Sequence, residues 1–157
     1  MDFVFLPMCN EYAYEIAYNW KYDGIYAFYD MTADENDLKE FLSEDSWAGR
    51  YFAVVDEENE LVGFYSFDFE NEFMWLGFGL KPELTGRKIG TEFVTAGIHF
   101  GITKFNYQQN CIMLAVASFN KRAIKVYEKI GFQVIETYIQ ITNGGEVEFV
   151  KMKKYIG

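Results

Sequence analysis

The chain is short of cysteine, of net positive charge and of long apolar runs, and each shortage removes a class of protein. Its two cysteines, Cys9 and Cys111, stand far apart with no CxxC pair. Neither a disulfide scaffold nor a zinc site is expected; free buried thiols in a reducing cytoplasm are. No stretch approaches the roughly 18 uninterrupted apolar residues of a membrane helix. The opening MDFVFLPMCNEYAYEI has an acidic second residue and no basic region, so no secretory signal and no membrane association are expected. Fourteen Lys and Arg stand against 24 Asp and Glu, a formal net charge of −10. Such a surface repels nucleic acid and anionic lipid and attracts small cations. Internal repeats, linkers and low-complexity tracts are also missing.

What is present is apolar. Half of the 157 residues are hydrophobic and a fifth aromatic, too much for disorder and enough for one core, so residues 1–157 are expected to form a single domain. FVFLPM, residues 3–8, reads as a strand that Pro7 ends or places at an edge. Asn10 is expected to cap a helix running to about Trp20. The aromatic stretch NWKYDGIYAFYDM reads as a loop or short helix. Residues 34–44 form an acidic-starting helix whose apolar face is Leu38, Phe41 and Leu42. Three strands follow, RYFAVVD, LVGFYSFDF and FMWLGFGL, joined by polar turns, so hairpins are expected. From Ile89 the apolar period becomes helical until about Asn106. CIMLAVAS, residues 111–118, is a strand apolar on both faces, typical of a sheet interior. A helix from Asn120 to Ile130 ends at Gly131 in the left-handed position. Two strands around TNGG close the chain. The order β, α, α, β, β, β, α, β, α, β, β makes one mixed α/β layer structure.

The basic residues are few but grouped. Lys81, Arg87 and Lys88 surround the turn in GLKPELTGRKIGTEFV, and Lys121, Arg122 and Lys125 follow the next strand. A strand, a glycine-bearing turn and a helix gather anions, because the first N–H groups of a helix lack internal partners and sit at the positive end of its dipole. Gly86 and Gly90 permit close backbone approach, Arg87 and Lys88 add charge, and Thr85 and Thr91 add hydroxyls. Read on its own, the turn suits either a phosphate or plain solvent. It is not a P-loop, since the glycine seven residues after Gly79 is followed by Arg-Lys-Ile. It is not a dinucleotide fingerprint either, since Pro82 occupies the third glycine position.

VASFNKRAIKVYEKIGF, residues 116–132, places Asn120, Ala123, Tyr127, Gly131 and Phe132 in the spacing N-x-x-A-x-x-x-Y-x-x-x-G-F. This segment resembles the GNAT superfamily of acyl-CoA N-acyltransferases. PELTGRKIG resembles the pyrophosphate loop of the same family, [RQ]-x-x-G-x-[GA]: Gly86, Ile89 and Gly90 are kept, while Thr85 stands for Arg or Gln and Lys88 for Gly. The resemblance covers residues 50–157 well and the N-terminal third loosely. It implies a single layer of about seven strands, mixed and mostly antiparallel, with helices on both faces. It also implies direct transfer of an acetyl group from acetyl-CoA to an amine, without an acyl-enzyme.

That chemistry needs an amine free of its proton, a donor for the oxyanion and a proton or hydrogen bond for the leaving thiolate. The resemblance gives the last role to Tyr127, whose phenol stays protonated at neutral pH; without it, Tyr127 reads as a core tyrosine. By the same resemblance Phe78, Gly79 and Leu80 run beside the pantetheine arm like an added strand, with a backbone N–H there as oxyanion donor. Residues 85–91 cradle the pyrophosphate, namely Thr85, Gly86, Arg87, Lys88, Ile89, Gly90 and Thr91. Asn120 and Ala123 flank the coenzyme A arm. Asn120 serves equally as a helix cap. No residue stands out as the base: Asp68, Glu70 and Glu72 are candidates, and a water path needs none. His99 is expected to be structural or exposed. The aromatic loop (Trp20, Tyr22, Tyr26, Phe28, Tyr29) and the negative charge favour a cationic acceptor, a small molecule or a peptide amine, with Tyr26, Tyr29 and Glu72 as contacts. No metal is expected, and a monomer or homodimer is. The competing reading is a non-catalytic acyl-CoA-binding or sensing module.

Overall fold

The computed structural model describes residues 2–86, 89–142 and 145–156. Arg87, Lys88 and the Asn143–Gly144 centre of the TNGG turn therefore lie outside the described residues. Seven strands form one sheet: β1 Val4–Pro7, β2 Tyr51–Val55, β3 Leu61–Glu70, β4 Phe73–Leu80, β5 Cys111–Ala117, β6 Gln133–Thr142 and β7 Gly145–Tyr155. The order across the sheet is β1-β2-β3-β4-β5-β7-β6. The β1/β2, β2/β3 and β5/β7 pairs are antiparallel and β4/β5 is parallel. Helices are α1 Asn10–Asn19, α2 Glu35–Leu42, α3 Glu44–Trp47, α4 Gly90–Lys104 and α5 Lys121–Ile130, with 3-10 turns at Gly24–Tyr29, Met31–Ala33 and Pro82–Leu84. The expected order of long elements is present; α3 and the 3-10 turns were not separately expected.

The described residues divide into two compact units. In the first, residues 2–66, 78–85 and 142, α1 buries Ala13, Ile16 and Ala17 and α2 buries Phe41. They share a cluster with Trp20, Trp47, Ala53, Val55 and Leu61. Trp47 can be buried because its indole N–H donates to the carbonyl of Phe41 at 2.9 Å, which removes the cost of an unpaired donor. Asn10 does not cap α1. Cys9 is the N-cap, without a side-chain cap bond, while Asn10 Nδ2 donates to Glu44 Oε1 at 2.9 Å. The side chain of Asn10 found a tertiary partner, so the cap rule lost. Cys9 is exposed, contrary to the expected burial, whereas Cys111 is buried, and both thiols are free. The acidic start of α2 is present as expected, and Asp34 also caps it, accepting from the N–H of Asp37 at 3.0 Å.

In the second unit, residues 67–77, 86, 89–141 and 145–156, β5 is buried at every position but Ala115, which explains its unbroken apolar run. Helix α4 packs through Phe93, Val94, Gly97, Ile98 and Gly101. Gly101 has to be glycine: a Cβ there would meet Met74 Sδ at 3.1 Å and collide with the ring of Phe67. Its absence lets α4 lie directly on the strands.

Candidate functional site

The end of β4 is held from one side. The parallel register of β4 with β5 spans Met74–Leu76 and Ile112–Leu114, so Phe78, Gly79 and Leu80 lie past it. The ring of Phe78 packs on Tyr65, centroids 5.1 Å apart. Phe64 lies over Gly79 so closely that a Cβ there would collide with its Cε1; Phe64 in turn packs against Trp20 and Phe41. The carbonyl of Leu80 accepts from the hydroxyl of Tyr22 at 2.7 Å, and the N–H of Lys81 donates to Val62 at 2.8 Å. Burial first, then the carboxylates of Asp30 and Glu83, hold the Tyr22 phenol well above its ordinary range, so it remains a donor across physiological pH. Tyr22 was read from sequence only as one aromatic of a loop. Nothing local in YDGIYAF shows that its hydroxyl reaches a carbonyl 58 residues away.

The turn after β4 closes on itself before reaching the helix. Thr85 donates both its N–H and, at 2.7 Å, its hydroxyl to the carbonyl of Pro82. The hydroxyl expected as a ligand donor thus stabilises the turn. Gly86 has φ +76, the left-handed region in which a side chain is strained. The guanidinium of Arg122 comes beside it, with Nη1 3.4 Å from where a Cβ on Gly86 would lie. Arg122, from the second basic group of the sequence, thus stands beside the glycine of the turn, although the family motif does not include it. Helix α4 then begins at Gly90 behind Ile89, an apolar N-cap that makes no side-chain cap bond. Gly90 has ordinary room, a Cβ meeting Val126 at 3.7 Å. Thr91 is exposed on the first turn. Arg87 and Lys88, expected to add charge here, lie outside the described residues.

Helix α5 begins differently. Asn120 is its N-cap and its Oδ1 accepts from the N–H of Ala123 at 3.2 Å, so the cap reading of Asn120 holds. At the other end Gly131, φ +116, and Phe132 donate their N–H groups to the carbonyl of Tyr127 at 3.2 and 3.0 Å, the left-handed ending expected of the glycine. Tyr127 is half-buried and its ring meets Phe132 edge-on, centroids 6.2 Å apart. Asn120, Ala123 and Tyr127 belong to the second unit and Phe78–Leu80 to the first.

The acceptor candidates belong to both units. Tyr26 and Tyr29 are half-buried on the Gly24–Tyr29 turn of the first unit. Glu72 is in the second unit, with Asn71 forming a tight β3–β4 turn in which both have positive φ, 53 and 74. That turn opens β4, at the other end of the strand from Phe78–Leu80. A 250 Å³ hollow is lined by Glu70, Asn71, Phe73, Trp75, Cys111, Met113, Lys151 and Lys153; it contains neither Tyr127 nor any expected cofactor residue, and of the candidate bases only Glu70 lines it. His99 is exposed on α4. The indole N–H of Trp20 is buried without a hydrogen-bond partner. Among the described residues no His, Cys, Asp and Glu side chains gather as a metal site, and no helix is long and apolar enough to cross a membrane.

Comparison with known proteins decides the family. The model of the acetyltransferase (GNAT) family matches residues 13–132, a span that carries β4, the turn, α4, β5 and α5 together. The chain belongs to the GNAT acetyltransferase family. It is an N-acetyltransferase and acetyl-CoA is its acyl donor. No curated relative matches it by sequence. Among solved structures, a chimera of spermidine N-acetyltransferase SpeG from Vibrio cholerae and hSSAT superposes with a TM-score of 0.78 at 18% identity, over 99% of this chain and 96% of that one. The Vibrio cholerae spermidine N-acetyltransferase in complex with CoA and spermine gives 0.74 at 17% identity, over 98% and 95%. A GNAT-family acetyltransferase from Bacillus anthracis gives 0.74 at 16%, over 99% and 95%. At these identities the likeness shows the fold, a mixed α/β structure on a seven-stranded sheet.

Proposed function

We propose that residues 1–157 act as one acetyltransferase domain that moves the acetyl group of acetyl-CoA to a primary amine of a small cationic molecule or a peptide. The observation that carries the reading is the start of α4: an uncapped helix N-terminus preceded by a left-handed glycine, with the guanidinium of Arg122 beside that glycine. Such a place offers backbone donors, a dipole end and a formal charge to a diphosphate. Gly86, Ile89, Gly90 and Thr91 would form the cradle with Arg122, joined by Thr85, Arg87 and Lys88 as the family loop implies. Phe78–Leu80, past the parallel register of β4 and tied back by Tyr22, would offer main-chain groups to the pantetheine arm, flanked by Asn120 and Ala123.

Bound acetyl-CoA supplies an activated thioester. Tyr127 holds its proton at the phenolic oxygen and donates it to the sulfur as the C–S bond breaks and the new C–N bond forms. The amine's own proton leaves through solvent or a carboxylate. A cationic acceptor is supported by the net charge of −10, by the aromatic side chains of the Gly24–Tyr29 turn, and by the spermine bound to one structural neighbour. Tyr26 and Tyr29 would meet it. Glu72, held in the β3–β4 turn at positive φ, would add its negative charge. The free thiols suit a reducing cytoplasm.

The test is thiol release from acetyl-CoA with polyamines, aminoglycosides, amino acids and N-terminal peptides as acceptors. Release with one cationic class supports the reading. Acetyl-CoA binding without release to any amine would overturn it in favour of a sensing module.

A further inference from the structure

The sheet ends in two edges of opposite character. At one edge β1 has four residues and finishes in Pro7, the short, proline-bearing form that resists pairing with another chain. At the other edge β6 runs for ten residues, Gln133–Thr142, without proline or lysine. Among the described residues no strand pairs with its outer side. Nearly every position of β6 is exposed, including Val134 at 46%, Ile135 at 50%, Ile139 at 59% and Ile141 at 79%. Ile135, Ile139 and Ile141 share one face and leave on the order of 300 Å² of apolar surface there in water, at the lower end of the range that marks an interaction site.

We infer that β6 is the contact through which two copies of this chain associate, edge to edge and antiparallel about a twofold axis. Charge selects the partner. Two chains of net charge −10 repel each other over most of their surface. The exposed strand β6 carries one charged residue, Glu136, already engaged by Lys151 at 3.2 Å. Of the registers that keep each face of the strand on its own side, the two that pair the most residues place either Thr137 or Tyr138 against itself across the axis. In the first, Glu136 faces Tyr138 of the second copy and Ile135 faces Ile139. In the second, Glu136 faces Gln140, and Ile135 faces Ile141. In neither do two carboxylates meet, and in both the row Ile135, Thr137, Ile139 and Ile141 continues unbroken across the junction. The even face is set from within, since Tyr138 stacks on Phe149 with centroids 5.8 Å apart. A nine-residue pairing with this apolar row approaches the roughly 800 Å² per partner of a stable interface.

Thr137 is exposed and lies at or diagonal to the axis in both registers, so it tests the contact without touching a core. Sedimentation equilibrium should find the wild type at twice 18.4 kDa or an even multiple. Thr137→Glu and Thr137→Lys alone should each lose that contact and fall in mass with an unchanged melting temperature, and mixing them in equal amounts should restore it. A wild type of 18.4 kDa up to about 100 μM, single variants with the wild-type mass, or a mixture that stays dissociated would each overturn the assignment. The outcome does not depend on the acceptor or on Tyr127.

Discussion

Helices α4 and α5 belong to the same unit and start in opposite ways. Helix α5 begins with a residue that satisfies it: Asn120 accepts from Ala123 at 3.2 Å. Helix α4 begins behind Ile89, whose side chain caps nothing. A helix start without a cap costs about 1 kcal/mol relative to a good one. The start of α4, where a left-handed glycine and an arginine converge, is the end proposed to receive the anion. The lesson is that a missing local interaction carries as much functional information as a present one. On this view α4 binds and α5 reacts.

The largest effect should separate those roles. Tyr127→Phe is expected to lower kcat about 100-fold or more while leaving the KM for acetyl-CoA within about threefold. Loss of affinity with an unchanged rate would assign α5 to binding instead. Next, Gly90→Glu puts a carboxylate at the open start of α4, where Val126 at 3.7 Å leaves room for a Cβ. Coenzyme A affinity measured by calorimetry should fall about 100-fold. The melting temperature should hold or rise, because an anion suits a helix N-terminus and glycine does not suit a helix. An affinity unchanged by Gly90→Glu would remove the loop from the site.

A smaller effect tests the closed start. Asn120→Ala should cost about 1 kcal/mol, a drop of roughly 2–4 °C in thermal melting for a chain of this size. Asn120→Asp keeps the cap and should keep the stability. Any loss of acetyl-CoA affinity in Asn120→Asp then reports contact with the ligand rather than with the helix. A last effect, of the same order, concerns Tyr22, which ties Leu80 at 2.7 Å as Asn120 ties Ala123. Its phenol is raised in the fold by burial first and then by Asp30 and Glu83. An acid whose folded value lies above its unfolded one contributes stability that is complete below about pH 10 and lost as pH rises further. Tyr22→Phe should therefore lower stability by about 1 kcal/mol at neutral pH and flatten the alkaline fall of a melting-temperature profile above pH 10.

The legible parts of the sequence were those whose cause is local. Gly131 ended α5 because only a left-handed residue terminates a helix there, and CIMLAVA announced an interior strand because burial on both faces demands an unbroken apolar run. Asn10 failed as a cap for the converse reason: a better partner, Glu44, came from 34 residues away. The hydroxyl of Thr85 likewise found Pro82, and Arg122 reached Gly86 from another helix. Side-chain hydrogen bonds and close approaches between distant segments have no period and no spacing, so no pattern in the chain announces them.

The sequence alone determined the element order, the glycine-bearing turn and the acetyltransferase family signature, because each is written in spacing and in short-range backbone preference. Only the tertiary structure decided that α4 starts without a side-chain cap while α5 caps itself, that Tyr22 secures the end of β4, and that β6 is left as a long bare edge. Those outcomes depend on which distant groups arrive first at each donor, and that is settled by packing.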